Sequence, residues 1–95
     1  MPEMRFVITW PDGRPETCYS PSLIIREYFV EGESYSVPDF VDRSREALTI
    51  ASDRVAAKYG FACSSANDQL ARIESVAATF IDQADARVRC DSFIL

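Results

Sequence analysis

The sequence predicts an α+β fold, an N-terminal β-hairpin packed against three helices, with a C-terminal segment that could supply a third strand. Three observations carry that prediction. Residues 5–10 alternate in the manner of a strand and run into the turn-rich PDGRP. The stretch Ser36 to Phe61 carries an apolar stripe at helical spacing, with a start and a stop written at its ends. From Ser65 onward the same design recurs on a smaller scale.

In the first element, Phe6, Ile8 and Trp10 fall on one side and Val7 and Thr9 on the other, the period of two that puts successive side chains on opposite faces. Asp12-Gly13 marks the bend, and Glu16 to Tyr19 forms the returning strand. Pro11 and Pro15 blunt any extension of these strands. Ser20-Pro21 then reads as the start of a helix, Ser as cap and Pro as first residue, with Leu23, Ile24 and Tyr28 on one face. The apolar run SLII also alternates, so a strand is the competing reading there. Glu31-Gly32-Glu33 connects it to the long helix.

That helix is the best-specified stretch of the chain. Ser36 with Asp39 three residues on matches a capping box, and Pro38 sits in the first turn, where a missing N–H costs nothing. Phe40, Ser44, Ala47, Leu48, Ala51, Val55 and Tyr59 recur at steps of three and four, so they share one face. Asp42, Arg45, Glu46, Asp53 and Arg54 take the solvent side. Gly60 can adopt the left-handed conformation that ends a helix, Lys58 complements its negative pole, and Phe61 is expected to fold back on the last turn.

After a brief turn, Ser65 with Asp68 repeats the capping pattern, and Leu70, Ile73, Ala77, Phe80 and Ile81 form the stripe of a third helix. It should pack antiparallel to the long one. In the tail, Val88, Cys90 and Ser92 alternate against Arg87, Arg89, Asp91 and Phe93. A strand beside the hairpin and a frayed end are both open readings.

Ninety-five residues make a single domain, 1–95, that buries roughly 60 to 65% of the surface its unfolded chain exposes. A net charge of −5 without grouped Lys and Arg argues against nucleic acid, because phosphate binding works through clustered cations. No apolar run approaches the about 20 residues that span a bilayer, and MPEMRF lacks a signal peptide's apolar region, so the expectation is a cytoplasmic protein with no membrane contact. Histidine is absent and the three cysteines are widely spaced, which removes the commonest general base and gives neither a zinc signature nor a disulfide framework. No cofactor motif is present.

Several groups invite a functional reading. Cys63 precedes a helix N-terminus, where the dipole can lower a thiol pKa, and Cys18 is a second candidate thiol; a buried, inert role is the favoured alternative for both. The run Cys18-Tyr19-Ser20-Pro21-Ser22 could present hydroxyls to a partner or an anion, against the favoured alternative of a cap joining strand to helix. Trp10 beside Asp12 and Gly13 is either an exposed interface anchor or a plug at one end of the core. Glu31, Glu33, Asp39 and Asp42 lack the spacing of a calcium loop and read as a solvated acidic surface. Asp53 and Glu74 carry no evidence of a shared substrate.

The combination WPDG, then CYSPS with a following YF, then FVDRSREALTIASDRVAAKYGFACSSANDQLARIE, resembles a family of small bacterial nitrogen starvation response proteins encoded in gene clusters beside a nitrilase. The likeness covers about residues 1–78. It implies genomic neighbours that look like a nitrilase, a radical-SAM protein, an acetyltransferase, a flavin-dependent oxidoreductase and a synthase-like protein. It also emphasises residues 10–13, 18–21 and 59–63, and it supplies no catalytic residue.

The expected function is therefore that of a non-catalytic accessory or interaction protein of a nitrogen-starvation, nitrilase-associated pathway. Its expected partners are a second copy of itself, paired across the hairpin edge, or proteins of the same cluster. The candidate interaction surface comprises Trp10, Asp12, Cys18, Tyr19, Ser20, Ser22 and Cys63. The alternatives are a small thiol-dependent enzyme or ligand-binding domain of the same pathway, and a peptide-binding module for a radical-SAM partner.

Overall fold

The computed structural model describes residues 2–61 and 64–95. Strands β1 (Met4–Thr9) and β2 (Pro15–Ser20) form the hairpin. The Gly13 N–H donates to the Trp10 carbonyl at 2.8 Å and the Trp10 N–H to the Arg14 carbonyl at 2.9 Å, closing a three-residue loop. Such a loop ends in a left-handed residue, and Gly13 supplies it at φ 88°.

The sheet has four strands, in the order β2-β1-β4-β3, where β3 is Ser34–Ser36 and β4 is Arg87–Ile94. The C-terminal segment is thus a strand, antiparallel to β1 and pairing it on the side away from β2. Strand β3 lies between the connection at residues 31–33 and α2, where the sequence predicts no strand. It is too short to show alternation and exists through pairing with β4, extended by the Cys90 N–H donating to Glu33 at 2.9 Å and the Gly32 N–H to Cys90 at 2.7 Å.

The β1–β4 register slips between Val7 and Ile8: Ile8 faces Cys90, whereas Val7 faces Ser92. Asp91 is the extra residue of a bulge, and its carboxylate accepts from the Thr9 hydroxyl. Beyond the bulge the phase of β4 reverses. Phe93, read from the sequence as opposite in phase to Cys90, lies across from Phe6 and packs on the core.

Helix α1 (Ile25–Tyr28) is a single turn, and it begins later than Ser20-Pro21 suggested. Ser20 and Ser22 are buried and satisfy the loop instead: the Ser20 hydroxyl donates to the Ser22 carbonyl at 2.8 Å, and Ser22 Oγ accepts from the Ile24 N–H at 3.3 Å. Hydroxyls near backbone offer it an alternative to helix, and here that alternative wins.

Helix α2 (Val37–Tyr59) matches its sequence signals at both ends. Ser36 Oγ accepts from the Asp39 N–H at 3.3 Å, and Gly60 takes φ 84° while its N–H returns to Ala56 at 2.8 Å. The stripe from Phe40 to Val55 is buried, but Tyr59, in the last turn, is half exposed. Phe61 is 68% exposed, its ring 6.5 Å from that of Tyr59.

Helix α3 (Ser64–Ala78) starts one residue before Ser65, so Ser65 lies inside its first turn and is not the cap read from the sequence. Ile73, Val76 and Ala77 face the core. The helix stops at Ala78, and the predicted stripe stops with it: Phe80 turns inward while Ile81 stands 80% exposed. A salt bridge of 2.9 Å joins Arg45 of α2 to Glu74 of α3.

One sheet face carries Met4, Phe6, Ile8, Cys18, Val88 and Cys90 into a common core with α2 and α3, and the other faces solvent. The free edge of β2 is protected. Its outward N–H positions are residues 15, 17 and 19; Pro15 has no N–H, and that of Tyr19 donates to Gln69 Oε1 of α3 at 3.0 Å.

Two serines of the same region predict opposite responses to one substitution. Ser36→Ala removes the α2 cap and should lower unfolding free energy by about 1 kcal/mol. Ser44 Oγ is buried without a hydrogen-bond partner, so Ser44→Ala should leave stability unchanged or raise it by up to about 1 kcal/mol. Urea titration of both variants at constant m-value reads the two signs.

Candidate functional site

An apolar groove of about 360 Å³ lies where α2 begins and α3 ends. Val37 and Val41 form one wall, Ala77 and Ala78 the other, and Phe80 and Ile81 close the end. Val37 and Val41 stand four apart, hence one above the other, on a face adjacent to the core stripe of Phe40, Ser44 and Ala47. The alanines of α3 are short enough to leave a trough between the helices.

Phe80 is held from below by Trp10, the rings stacked at 6.1 Å with 15° between their planes. Because Phe80 is turned into the core, its neighbour Ile81 is turned out, and it forms an apolar lip in water. Asp42, Arg45 and Glu74 line the rim. Arg45 spans it, donating to Asp42 Oδ1 at 3.2 Å and to Glu74 Oε2 at 2.9 Å, and its hydrogen bond to Glu74 holds the guanidinium charge still more firmly. These exposed pairs orient the rim more than they stabilise the fold.

A second depression is polar and open, lined by Arg5, Tyr19, Ser65, Asp68, Gln69 and Arg72. Arg5 lies over the Tyr19 ring at 5.7 Å, while Arg72 is paired with Glu16 at 3.2 Å. Its charges are thus partly committed within the molecule.

The candidate surface read from the sequence does not form one surface. Trp10 is 2% exposed, wedged edge-on against Phe40 at 5.6 Å, with its indole N–H donating to Glu16 at 3.1 Å; it plugs the core and is no exposed anchor. Cys18, Ser20 and Ser22 are likewise buried, and Arg54 reaches Ser22 Oγ at 2.9 Å to complete its hydrogen bonding. Only Asp12, in the exposed turn, and Tyr19, half-buried, reach solvent. The Arg14 N–H donates to the Asp12 carboxylate and holds it below the usual carboxylate range. Cys63 lies outside the described residues.

Burial decides the thiol question for the other two cysteines. It pushes the Cys18 thiol far up, with the Glu16 carboxylate adding to the effect, and it pushes Cys90 up to about 11, helped by Glu31 and Asp91. Neither supplies a thiolate near neutral pH. Among the described residues no three Cys, Asp or Glu side chains gather as a metal site, and Asp39 is engaged by Arg43 at 3.0 Å.

The groove was missed from the sequence because its walls come from segments some 35 residues apart. The available signal was an excess of apolar residues over what one stripe needs: Val37 and Val41 beside the α2 stripe, and Ile81 directly after Phe80.

The family model for the nitrogen starvation-induced protein NitG matches residues 5–93, and the chain belongs to that family. No curated protein matches the chain. No solved structure matches it either.

Burial also makes the core residues testable in solution. In a Cys63→Ser variant, neither remaining cysteine should react with a disulfide reagent at pH 8 until the protein is unfolded, and Trp10 fluorescence should resist quenching by iodide. Rapid labelling of the folded variant would return Cys18 or Cys90 to the list of reactive thiols.

Proposed function

We propose that this member of the nitrogen starvation-induced family is a non-catalytic interaction protein that serves a nitrilase-associated pathway by holding another protein of that pathway in its apolar groove. The observation that carries the reading is the groove itself. An apolar trough with an isoleucine lip 80% exposed leaves water against surface that a partner would cover. The chemistry of the described side chains supports the same reading: the chain has no imidazole, and its two described thiols are buried and protonated.

The hairpin edge is a less suitable contact, since Pro15 and Gln69 deny most of its donors to an incoming strand. A partner addressed through side chains in a groove fits this molecule better than one addressed through backbone pairing.

Tagged protein recovered from nitrogen-limited cells should bring down one protein encoded near the nitrilase in stoichiometric amount. Recovery of none, or turnover of a nitrile or amide by the purified chain alone, would sink the proposal.

A further inference from the structure

Resting on that reading, we infer that the groove takes an amphipathic helix of a partner protein whose apolar face is flanked by Lys or Arg. Apolar side chains at i, i+3 and i+4 would seat between Val41 and Ala77 and against Phe80, with Ile81 packing over them. The basic flank follows from the rim.

Among the described residues lining the groove the only cation is Arg45, and its guanidinium is already shared between Asp42 and Glu74. Each of those carboxylates keeps a second oxygen, Asp42 Oδ2 and Glu74 Oε1, that accepts nothing further among the described residues. Asp82 follows Ile81 in the same exposed turn, and Asp85 lies in the turn after it. A Lys or Arg from the occupant therefore meets unspent acceptors, in an acidic field that speeds its approach.

The same charges count against the other occupants. Two copies of a chain of net charge −5 would oppose acidic rim to acidic rim. A small apolar ligand would gain little from a lip that stands in water instead of closing over it.

The test uses the full chain and two synthetic helices, one of Leu and Lys with Leu at steps of three and four, the other with Glu in place of every Lys. The Leu/Lys helix should bind and shift Trp10 emission, because Trp10 stacks beneath Phe80 on the groove floor. The Leu/Glu helix should not bind. Ile81→Asp should weaken the Leu/Lys complex by about tenfold or more, the size expected for a central apolar anchor. That variant adds negative charge, so mere Coulomb attraction would strengthen instead; and since Ile81 is exposed, its urea midpoint should stay that of the parent. Asp42→Asn with Glu74→Gln should weaken binding several-fold and flatten its salt dependence.

Equal binding of both helices, or parental binding by Ile81→Asp, overturns the inference. So does a dimer that Ile81→Asp dissolves, which would make the occupant a second copy, or uptake of an apolar dye with no helix bound, which would make it a small molecule. If cellular recovery of a pathway protein survives Ile81→Asp, the groove is the wrong surface while the interaction role stands.

Discussion

A column of aromatic rings holds this molecule together and decides where its surface opens. Phe6 stacks on Phe29 at 6.1 Å, Phe29 meets Phe40 at 5.4 Å, Phe40 meets Trp10 at 5.6 Å, and Trp10 stacks on Phe80 at 6.1 Å. The column is a necessity of the helix it supports. Around Leu48 the buried α2 stripe is made of small residues, Ser44, Ala47 and Ala51, so larger side chains from other segments must supply volume beside Phe40. Phe29, from the segment after α1, supplies that volume, and the Tyr35 ring locks it edge-on at 5.2 Å. Arg43 then ties the strap down, donating to the Tyr28 carbonyl at 2.8 Å and lying over Tyr35 at 4.9 Å.

The far end of the column explains the groove. A ring was needed over Trp10 to finish the core, and Phe80 provides it at the first positions past α3. In so tight a turn two consecutive apolar residues cannot both point inward. Ile81 is the residue left over, standing in water at the end of a groove in which Val37 is buried and Val41 half-buried against the core.

What the sequence disclosed and what it withheld divide along the range of the forces involved. The ends of α2 were legible because Ser36, Pro38 and Gly60 act on backbone within a few residues. The hairpin was legible because alternation and the PDG turn are equally local. Strand β3 was not, since nothing in Ser34, Tyr35 and Ser36 announces a partner lying more than 50 residues on. The Asp91 bulge was hidden for the same reason: only the pairing with β1 shows that β4 changes phase before Phe93. Ser20 and Ser22 misled because a hydroxyl that caps a helix and one that satisfies a loop look alike in sequence; the difference is burial. For Cys18 burial is already the favoured reading of the sequence, and for Trp10 the core plug stands level with the exposed anchor; tertiary packing places both inside. The site was the least legible part, because a groove between two helices belongs to neither one.

The protection of the sheet gives the exposed groove its meaning. An unguarded strand edge pairs with any extended chain, and a small domain exposing both an open edge and an apolar groove would be prone to aggregation. Here Pro15 and Gln69 deny two of the three outward positions of β2, and a net charge of −5 sets repulsion against contact between copies. The groove, by contrast, carries no gatekeeping charge within its walls; Asp42, Arg45 and Glu74 stay on the rim and hold one another in place. Charge at a rim selects partners, whereas charge in a trough would exclude them all. Blunting the edge that any strand could pair with, while an apolar groove stays open between α2 and α3, supports the proposed contact through side chains over one through backbone pairing.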